Sequence, residues 1–287
     1  MSEPDFAAAT VHVVGLGLMG GSLAMALHGK VARITATDVK PDVLEAAEAA
    51  GVIDGTGTAS TADVVVIAIP AGHIPVLLPN LEVKPGALVI DLGSTKTRIC
   101  DALDQLPAGV RAVGGHPMCG LAENGFRNAV PTLYHGARFV LCETVHTDAT
   151  ARQQAEALVR AISAQPMWMD RARQDALTAL TSHLPHLLSF ALMALALEAS
   201  QEDEALFELA AGGFDGATRL ARTEASMIVG MFSTNADQLR AASVRMRTHL
   251  DRLEALMEDP EQLDAALQAI VSARRTYTAR YGERLIT

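Results

Sequence analysis

The sequence predicts an α/β protein: a doubly wound parallel sheet over residues 1–170, followed by an all-helical domain over 171–287. Three observations carry this. A short apolar strand, a glycine turn and a helix start follow one another in Thr10 to Leu27. Short apolar runs then alternate with helical patterns through the first half, as in stacked βαβ units. After about Arg171 strand-like alternation stops, and Ala, Leu, Glu, Gln and Arg recur at helical spacing.

The elements follow in order. Val11 to Val14 is the first strand, and Gly15, Gly17 and Gly20 then take the G-x-G-x-x-G spacing of a dinucleotide-binding turn. The first glycine permits the tight turn, the second lets backbone approach a pyrophosphate, and the third lets the helix pack closely on the strand. The helix start offers free N–H groups and partial positive charge to phosphates. A second strand, Arg33 to Thr37, delivers Asp38 about 20 residues on, where a carboxylate binds ribose hydroxyls. The sheet is therefore expected to be Rossmann-type and to hold a nicotinamide cofactor on Gly15, Gly17, Leu18, Met19, Gly20, Asp38 and Pro70. Asp38 repels a ribose phosphate, so NAD is favoured over NADP, with Lys40 near enough to soften the preference.

Val64 to Ile69, ending at Pro70, reads as a strand buried on both faces. Ala87 to Asp91 leads into Gly93-Ser94-Thr95-Lys96, and Val110 to Val113 into Gly114-Gly115-His116-Pro117-Met118-Cys119-Gly120. Both loops should open at the carboxyl edge of the sheet, where open α/β folds bind ligands. Arg138 to Cys142 and Met167 to Met169 complete the strands. Helices are expected at Gln174 to Ala199, Ala205 to Ala211, Ala217 to Val229, Asn235 to Glu258 and Pro260 to Tyr281. Gly212-Gly213 and Gly230 punctuate them, and Pro260 suits a helix start. Helices this apolar bury a face against something, and a two-fold partner is the commonest answer.

Composition narrows the function. The chain has 287 residues, 49% hydrophobic and 20% charged, which suits a protein with a sizeable core. A formal net charge of −10 argues against nucleic acid or an anionic membrane as partner. An anionic substrate must then meet a local cation. Cys100, Cys119 and Cys142 lack metal-ligand spacing and are expected to be reduced thiols in a cytoplasmic protein. The N-terminal apolar run lacks a preceding basic region and is broken by glycines, unlike a signal peptide. Leu177 to Leu197 is strongly apolar but carries His183, Pro185 and His186, so a bundle core or subunit interface suits it better than a membrane.

Several residues could do chemistry. Ser94 or Thr95 would ordinarily cap a helix, and a turn histidine such as His116 is ordinarily an exposed polar residue. Here both belong to loops at the nicotinamide end of the cleft. In Ser182-His183-Leu184-Pro185-His186 the two histidines share a helical face. No carboxylate or cysteine joins them at ligand spacing, so no metal is expected. An imidazole on so apolar a helix has a reason to face the cleft. In Asp215-Gly216-Ala217-Thr218-Arg219, an arginine early in a helix could clamp a carboxylate with two hydrogen bonds.

Together GLGLMGGSLA, DLGSTK, GGHPMCG, SHLPH and TRLA resemble the prephenate and arogenate (cyclohexadienyl) dehydrogenases of tyrosine biosynthesis, in that family's order from Gly15 to Asn235. The resemblance implies a dinucleotide-binding domain followed by a helical dimerisation domain, hence a homodimer acting on a small molecule. It also implies an oxidative decarboxylation: hydride leaves the hydroxyl-bearing ring carbon for NAD, carbon dioxide departs and the ring becomes aromatic. By similarity His116 hydrogen-bonds the ring hydroxyl and draws off its proton, which requires a neutral imidazole. Ser94 corresponds to the serine contacting that hydroxyl and the histidine. His183 corresponds to a histidine lining the substrate pocket, and Arg219 to the arginine on a substrate carboxylate.

The chain also departs from the pattern. Ser226-Met227-Ile228-Val229 stands where relatives carry Pro-x-Met-Trp, Gly216 where an aspartate is usual, and Cys119 where a smaller residue is usual. The side-chain reading part of the pocket is thereby altered, which leaves prephenate, arogenate and an amino-substituted ring acid open as substrates. Feedback through an appended ACT-type domain is not expected. Two rivals stand beside this reading. A hydroxy-acid dehydrogenase or imine reductase of the same plan would use a lysine or aspartate of the helical domain. A non-catalytic NAD-sensing regulator would need no pairing of His116 with Ser94.

Overall fold

The computed structural model describes residues 6–121 and 123–282. Seven strands form one sheet: β1 (Thr10–Val14), β2 (Arg33–Thr37), β3 (Val64–Ile67), β4 (Leu88–Asp91), β5 (Arg111–Pro117), β6 (Arg138–Glu143) and β7 (Gln165–Trp168), in the order β2-β1-β3-β4-β5-β6-β7. β1 pairs with β2 on one side and β3 on the other, which makes the crevice beyond their carboxyl ends the topological switch point. The central strands are apolar throughout because both faces are covered. Val64, Val65, Val66 and Ile67 are all buried, as are Leu88, Val89 and Ile90.

The sheet departs from the purely parallel expectation at one pair, since β5 and β6 run antiparallel. The described residues among 118–137 hold the short 3-10 turn Phe126–Asn128 and no crossover α-helix, so the chain returns in the opposite direction. The same pairing corrects a second expectation. Gly114, Gly115, His116 and Pro117 are not loop: β5 continues through them, opposite Cys142, Leu141, Val140 and Phe139. Their glycines serve close packing rather than a turn. A Cβ on Gly114 would lie 2.5 Å from Cys100 Sγ, and one on Gly115 would strike the Asp91 carbonyl.

Helices α1 (Leu18–Leu27), α2 (Pro41–Ala49), α3 (Ile74–Leu77), α4 (Thr97–Leu103) and α5 (Ala149–Ala161) accompany the sheet. The expected helix Gln174 to Ala199 is α6 (Arg171–Thr178) and α7 (Leu184–Ala199), joined by a π turn at Ala179–His183. Pro185 explains the wide turn, since it has no N–H to return to the preceding turn. By length and composition alone, Arg171–Ala199 would be long enough to cross a membrane. The expected helix at Ala205 to Ala211 is instead a 3-10 turn at Glu204–Leu206, and the glycines taken as punctuation begin α8 (Gly212–Thr218). The expected helix Ala217 to Val229 breaks after a 3-10 turn at Arg219–Arg222, because Thr223 and Glu224 are extended before α9 (Ala225–Thr234). Arg219 therefore lies inside a short helical stretch over residues 212–222 rather than early in a long helix.

Two compact units emerge, Met1–Ala236 and Asp237–Thr287. Helices α6 to α9 share the first unit with the sheet, although they lie beyond residue 170. Gly230 in α9 meets the loop after β3: a Cβ there would sit 3.4 Å from the Gly72 nitrogen. In the same unit α7 leaves Leu192, Leu195 and Leu197 exposed, rather than buried on most faces. The second unit holds α11 (Pro260–Tyr281) and nearly all of α10 (Ala236–Ala255). Asp259 caps α11 by accepting from the Gln262 N–H at 3.1 Å, with Pro260 in its first turn. This unit also leaves Val244, Leu267, Ile270 and Val271 exposed.

Candidate active site

The glycine turn has the construction its spacing demands. Gly15 has φ +93°, in the left-handed region, and a Cβ there would lie 2.8 Å from the Ala68 carbonyl oxygen. A Cβ on Gly20 would overlap the Gly15 carbonyl. Gly17 is different: a Cβ there meets nothing within 4 Å, so its lost side chain leaves open space. Open space in front of the α1 N-terminus, where Leu18 and Met19 begin the helix, is where a pyrophosphate fits. Asp38 closes the turn by accepting from the Leu16 N–H at 2.7 Å and the Lys40 N–H at 2.9 Å, with acceptor capacity left for ribose hydroxyls. Pro70 is exposed just past β3, following the Ala68 and Ile69 that pack on Gly15.

This geometry separates two substitutions. Gly20→Ala is expected to destabilise the fold by about 1–3 kcal/mol, the usual scale of overpacking. Gly17→Ala should leave unfolding within about 0.5 kcal/mol of the parent. It should nevertheless weaken NAD binding, because the added methyl takes the space the pyrophosphate needs. Thermal unfolding with NAD titration calorimetry checks both; equal NAD affinity in Gly17→Ala would contradict the placement.

Two to three strands further along the same edge, about 10–14 Å at about 4.8 Å per strand, lies a second cluster at the ends of β4 and β5. That span suits a dinucleotide stretched from β1 towards β5. At its centre are Lys96 and Asp91, both completely buried. The Lys96 ammonium pairs with Asp91 and donates to the Gly115 carbonyl, while Asp91 also accepts from the N–H groups of Gly93 at 2.8 Å and Gly115 at 2.9 Å. The ends of β4 and β5 are thus locked together immediately before His116. The start of α4 is not capped by Ser94 or Thr95. Asp175 of α6 reaches across instead, accepting from the backbone N–H of Lys96 at 2.6 Å and of Thr97 at 2.8 Å. Thr95 donates to Thr234 of α9 at 2.9 Å.

His116 is 9% exposed, and its Nδ1 accepts from the side-chain amide of Gln174 at 2.7 Å. The same Gln174 nitrogen lies 3.3 Å from the Ser94 carbonyl, so Ser94 and His116 are linked through Gln174. Burial drives the His116 pKa down to about 3, helped by the Lys96 ammonium and by His183. His183 is likewise buried, its pKa lowered to about 4 chiefly by burial. Its Nδ1 faces the Asn235 amide at 3.1 Å, and that amide also donates to the Asp175 carbonyl at 2.8 Å. The His183 Nε2 is buried and has no hydrogen-bond partner. Ser94, His116 and His183 therefore belong to one network of neutral imidazoles around one buried ammonium.

Arg219 stands elsewhere in the unit. It lines an open groove of about 660 Å³ with Met193, Asp215, Gly216, Thr218, Ala221 and Arg222. His116, Ser94 and His183 do not line that groove. The connection runs through His186, whose pKa is lowered mainly by burial and also by the Arg219 charge, and which in turn acts on His183. No group of three or more metal-binding side chains occurs among the described residues.

Gln174, Asp175, Asn235 and the role of Lys96 are not evident from the sequence. Each has a partner 52 to 80 positions away. A local signal is the adjacent pair Gln174-Asp175 just before the apolar run Leu177 to Leu197, where polar residues need buried partners.

Comparison with known proteins now places the chain. Residues 22–167 match the family model described as prephenate dehydrogenase, nucleotide-binding domain. Residues 170–270 match that described as prephenate dehydrogenase, dimerization domain. A curated prephenate dehydrogenase of Bacillus subtilis is 30% identical over 269 residues, covering 88% of this chain and 71% of that one. Among solved structures, prephenate dehydrogenase from A. aeolicus in complex with hydroxyphenyl propionate and NAD+ superposes with a TM-score of 0.89 at 26% identity, covering 96% of this chain and 100% of that one. Synechocystis arogenate dehydrogenase gives a TM-score of 0.74 at 27% identity, covering 93% and 99%. With its glycine turn, its buried His116 and both domain models matched in sequence, the chain belongs to the prephenate dehydrogenase family.

Proposed function

We propose that this chain catalyses the NAD-dependent oxidative decarboxylation of prephenate to 4-hydroxyphenylpyruvate. The observation that carries this is the buried, neutral His116, tied to the Ser94 loop at the edge of the sheet that also carries the open glycine turn. NAD, when bound, supplies the hydride acceptor. Gly15, Gly17, Leu18, Met19 and Gly20 would hold its pyrophosphate, Asp38 its ribose, and Pro70 would border it.

The chain's own residues do the rest. His116 hydrogen-bonds the ring hydroxyl and takes its proton as the carbonyl forms, while Ser94 contacts the same hydroxyl. Loss of the ring carboxylate as carbon dioxide then makes the ring aromatic and renders the step irreversible, and the oxygen takes a proton back from His116 to give the phenol. His183 lines the pocket, and its unpartnered Nε2 offers a donor to the substrate. Arg219 clamps a carboxylate, supplying the cation that a chain of net charge −10 must provide locally. Arg219→Ala is expected to raise KM for the ring acid by about tenfold or more with kcat little changed, since it removes a charge-assisted hydrogen bond. Steady-state kinetics checks this, and an unchanged KM removes the assignment.

We further propose that the functional division falls near residue 170. The cofactor half precedes it, and the substrate and dimerisation half follows. The exposed Leu192, Leu195 and Leu197 of α7 are the face a second copy would cover, making a homodimer. The free thiols Cys100, Cys119 and Cys142 suit a reducing, cytoplasmic setting.

Assaying cofactor reduction with prephenate and with arogenate, each with NAD and with NADP, tests the function. Prephenate with NAD should give the highest kcat/KM. Preference for arogenate would move the assignment to that substrate, and failure of all four pairs in a folded, NAD-binding protein would favour a regulator.

A further inference from the structure

The amide of Gln174 bears on which nitrogen of His116 is free to react. Gln174 is 1% exposed, so its amide has no water to fall back on. Its nitrogen serves both His116 Nδ1 at 2.7 Å and the Ser94 carbonyl at 3.3 Å, while its oxygen is buried with no hydrogen-bond partner. A neutral imidazole whose Nδ1 accepts a hydrogen bond must carry its proton on Nε2. In that tautomer Nε2 donates and cannot take the proton of a hydroxyl. A base acting at Nε2 needs the opposite tautomer, with Nδ1–H facing an acceptor. The orphaned Gln174 oxygen is such an acceptor, and half a turn of the amide about its last side-chain bond brings it to Nδ1.

We propose that Gln174 is a positioning residue for His116, holding it in an unreactive tautomer at rest and turning its carbonyl oxygen onto Nδ1–H when Nε2 serves as base. This rests on the role given to His116 above. The change of tautomer is proton-neutral: one proton leaves Nε2 to water and one is taken up from water at Nδ1. When the ring hydroxyl then gives its proton to Nε2, both nitrogens carry hydrogen and the Gln174 oxygen accepts from Nδ1–H. The turned amide thus stabilises the imidazolium, whereas the resting amide opposes it. The turn costs the contact with the Ser94 carbonyl, which at 3.3 Å is the longer of the two. The other charged or titratable groups acting on His116 are Lys96, before α4, and His183, at the end of the π turn. Asp91 and Asp175 act through them: Asp91 pairs with Lys96, and Asp175 binds the Lys96 backbone and bears on His183. None of these changes in the variants below.

Nitrogen-15 NMR of histidine-labelled full-length protein reads the tautomer of His116 without any turnover, with His116→Asn giving the assignment. The wild type should show the Nε2–H form when free. Gln174→Glu, when ionised, presents only acceptor oxygens to Nδ1 and should shift His116 to the Nδ1–H form. It should also move the acid limb of kcat to higher pH. Gln174→Met keeps the length of the side chain but has neither donor nor acceptor. It should leave a mixture of tautomers and lower kcat by about tenfold, the loss of one buried hydrogen bond, with NAD affinity unchanged. The proposal is overturned if the three proteins share one tautomer, or if both variants lose only thermal stability while the pH profile stays in place. Should Gln174→Glu fail to fold, the tautomer and kcat of Gln174→Met decide the matter alone. If the tautomer shifts as stated but no ring acid is turned over by the wild type, the functional reading fails and the role of Gln174 stands.

Discussion

Replacing His116 with asparagine should lower kcat by about two to four orders of magnitude, the usual scale for losing a general base, and leave NAD affinity unchanged. Asparagine keeps a polar group near the Gln174 amide but has no nitrogen able to take a proton. The glycine turn belongs to β1 and α1, three strands away, which is why cofactor binding should survive. The pH dependence of the parent follows from the same burial. His116, its pKa near 3, is neutral throughout the ordinary range, so its protonation should not produce an acid limb near 6.5 in kcat/KM. Stability behaves in step. His116 and His183 have folded pKa values of about 3 and about 4, below 6.5 when unfolded, so on acidification the unfolded chain takes up protons first. Their contribution is complete above about pH 6.5 and drains away between there and about pH 3 to 4. Full activity in His116→Asn, measured by NADH formation at saturating substrate, would remove the proposed base.

Lys96→Met should be among the most destabilising single changes in the sheet. The Asp91 carboxylate is completely buried, and Lys96 is the countercharge paired with it. Removing one member of a buried pair typically costs about 3–5 kcal/mol, because the remaining charge is left without compensation. That is a large share of the roughly 5–15 kcal/mol that holds a domain together. Changing Asp91→Asn as well should recover part of the loss. Gly93 and Gly115 donate to different oxygens of Asp91, so the single asparagine oxygen can keep one of these bonds, and the recovery is only partial. Urea unfolding of the two variants and the parent forms the test. A single variant within about 1 kcal/mol of the parent, or a double variant less stable than the single, would show that the pair does not lock β4 to β5.

Much of this architecture is legible in the residues, and the reason is local. Val64 to Ile67 reads as a strand because every side chain is apolar, and it is apolar because helices cover both faces. Gly15 and Gly20 read as a cofactor turn because the backbone there tolerates no Cβ. Gly114 and Gly115 mislead for a related reason. Glycines beside a proline suggest a loop, yet here they let β5 press against Cys100 and Asp91. The helical half was harder to read. Apolar spacing sets helix from non-helix, but the break at Thr223 and Glu224 depends on packing that no short window contains. The same limit hid the Gln174 amide, whose meaning lies in an imidazole 58 residues away. Chemistry-bearing residues in compact motifs were legible, and the groups that orient them were not.

A crystal structure of the protein with NAD and hydroxyphenyl propionate tests most directly whether His116 meets the ring hydroxyl. The ring hydroxyl should lie within about 2.6–3.2 Å of His116 Nε2, with the nicotinamide against the ring and the propionate carboxylate on Arg219. A ring seated in the Arg219 groove with its hydroxyl turned away from His116 would contradict this placement.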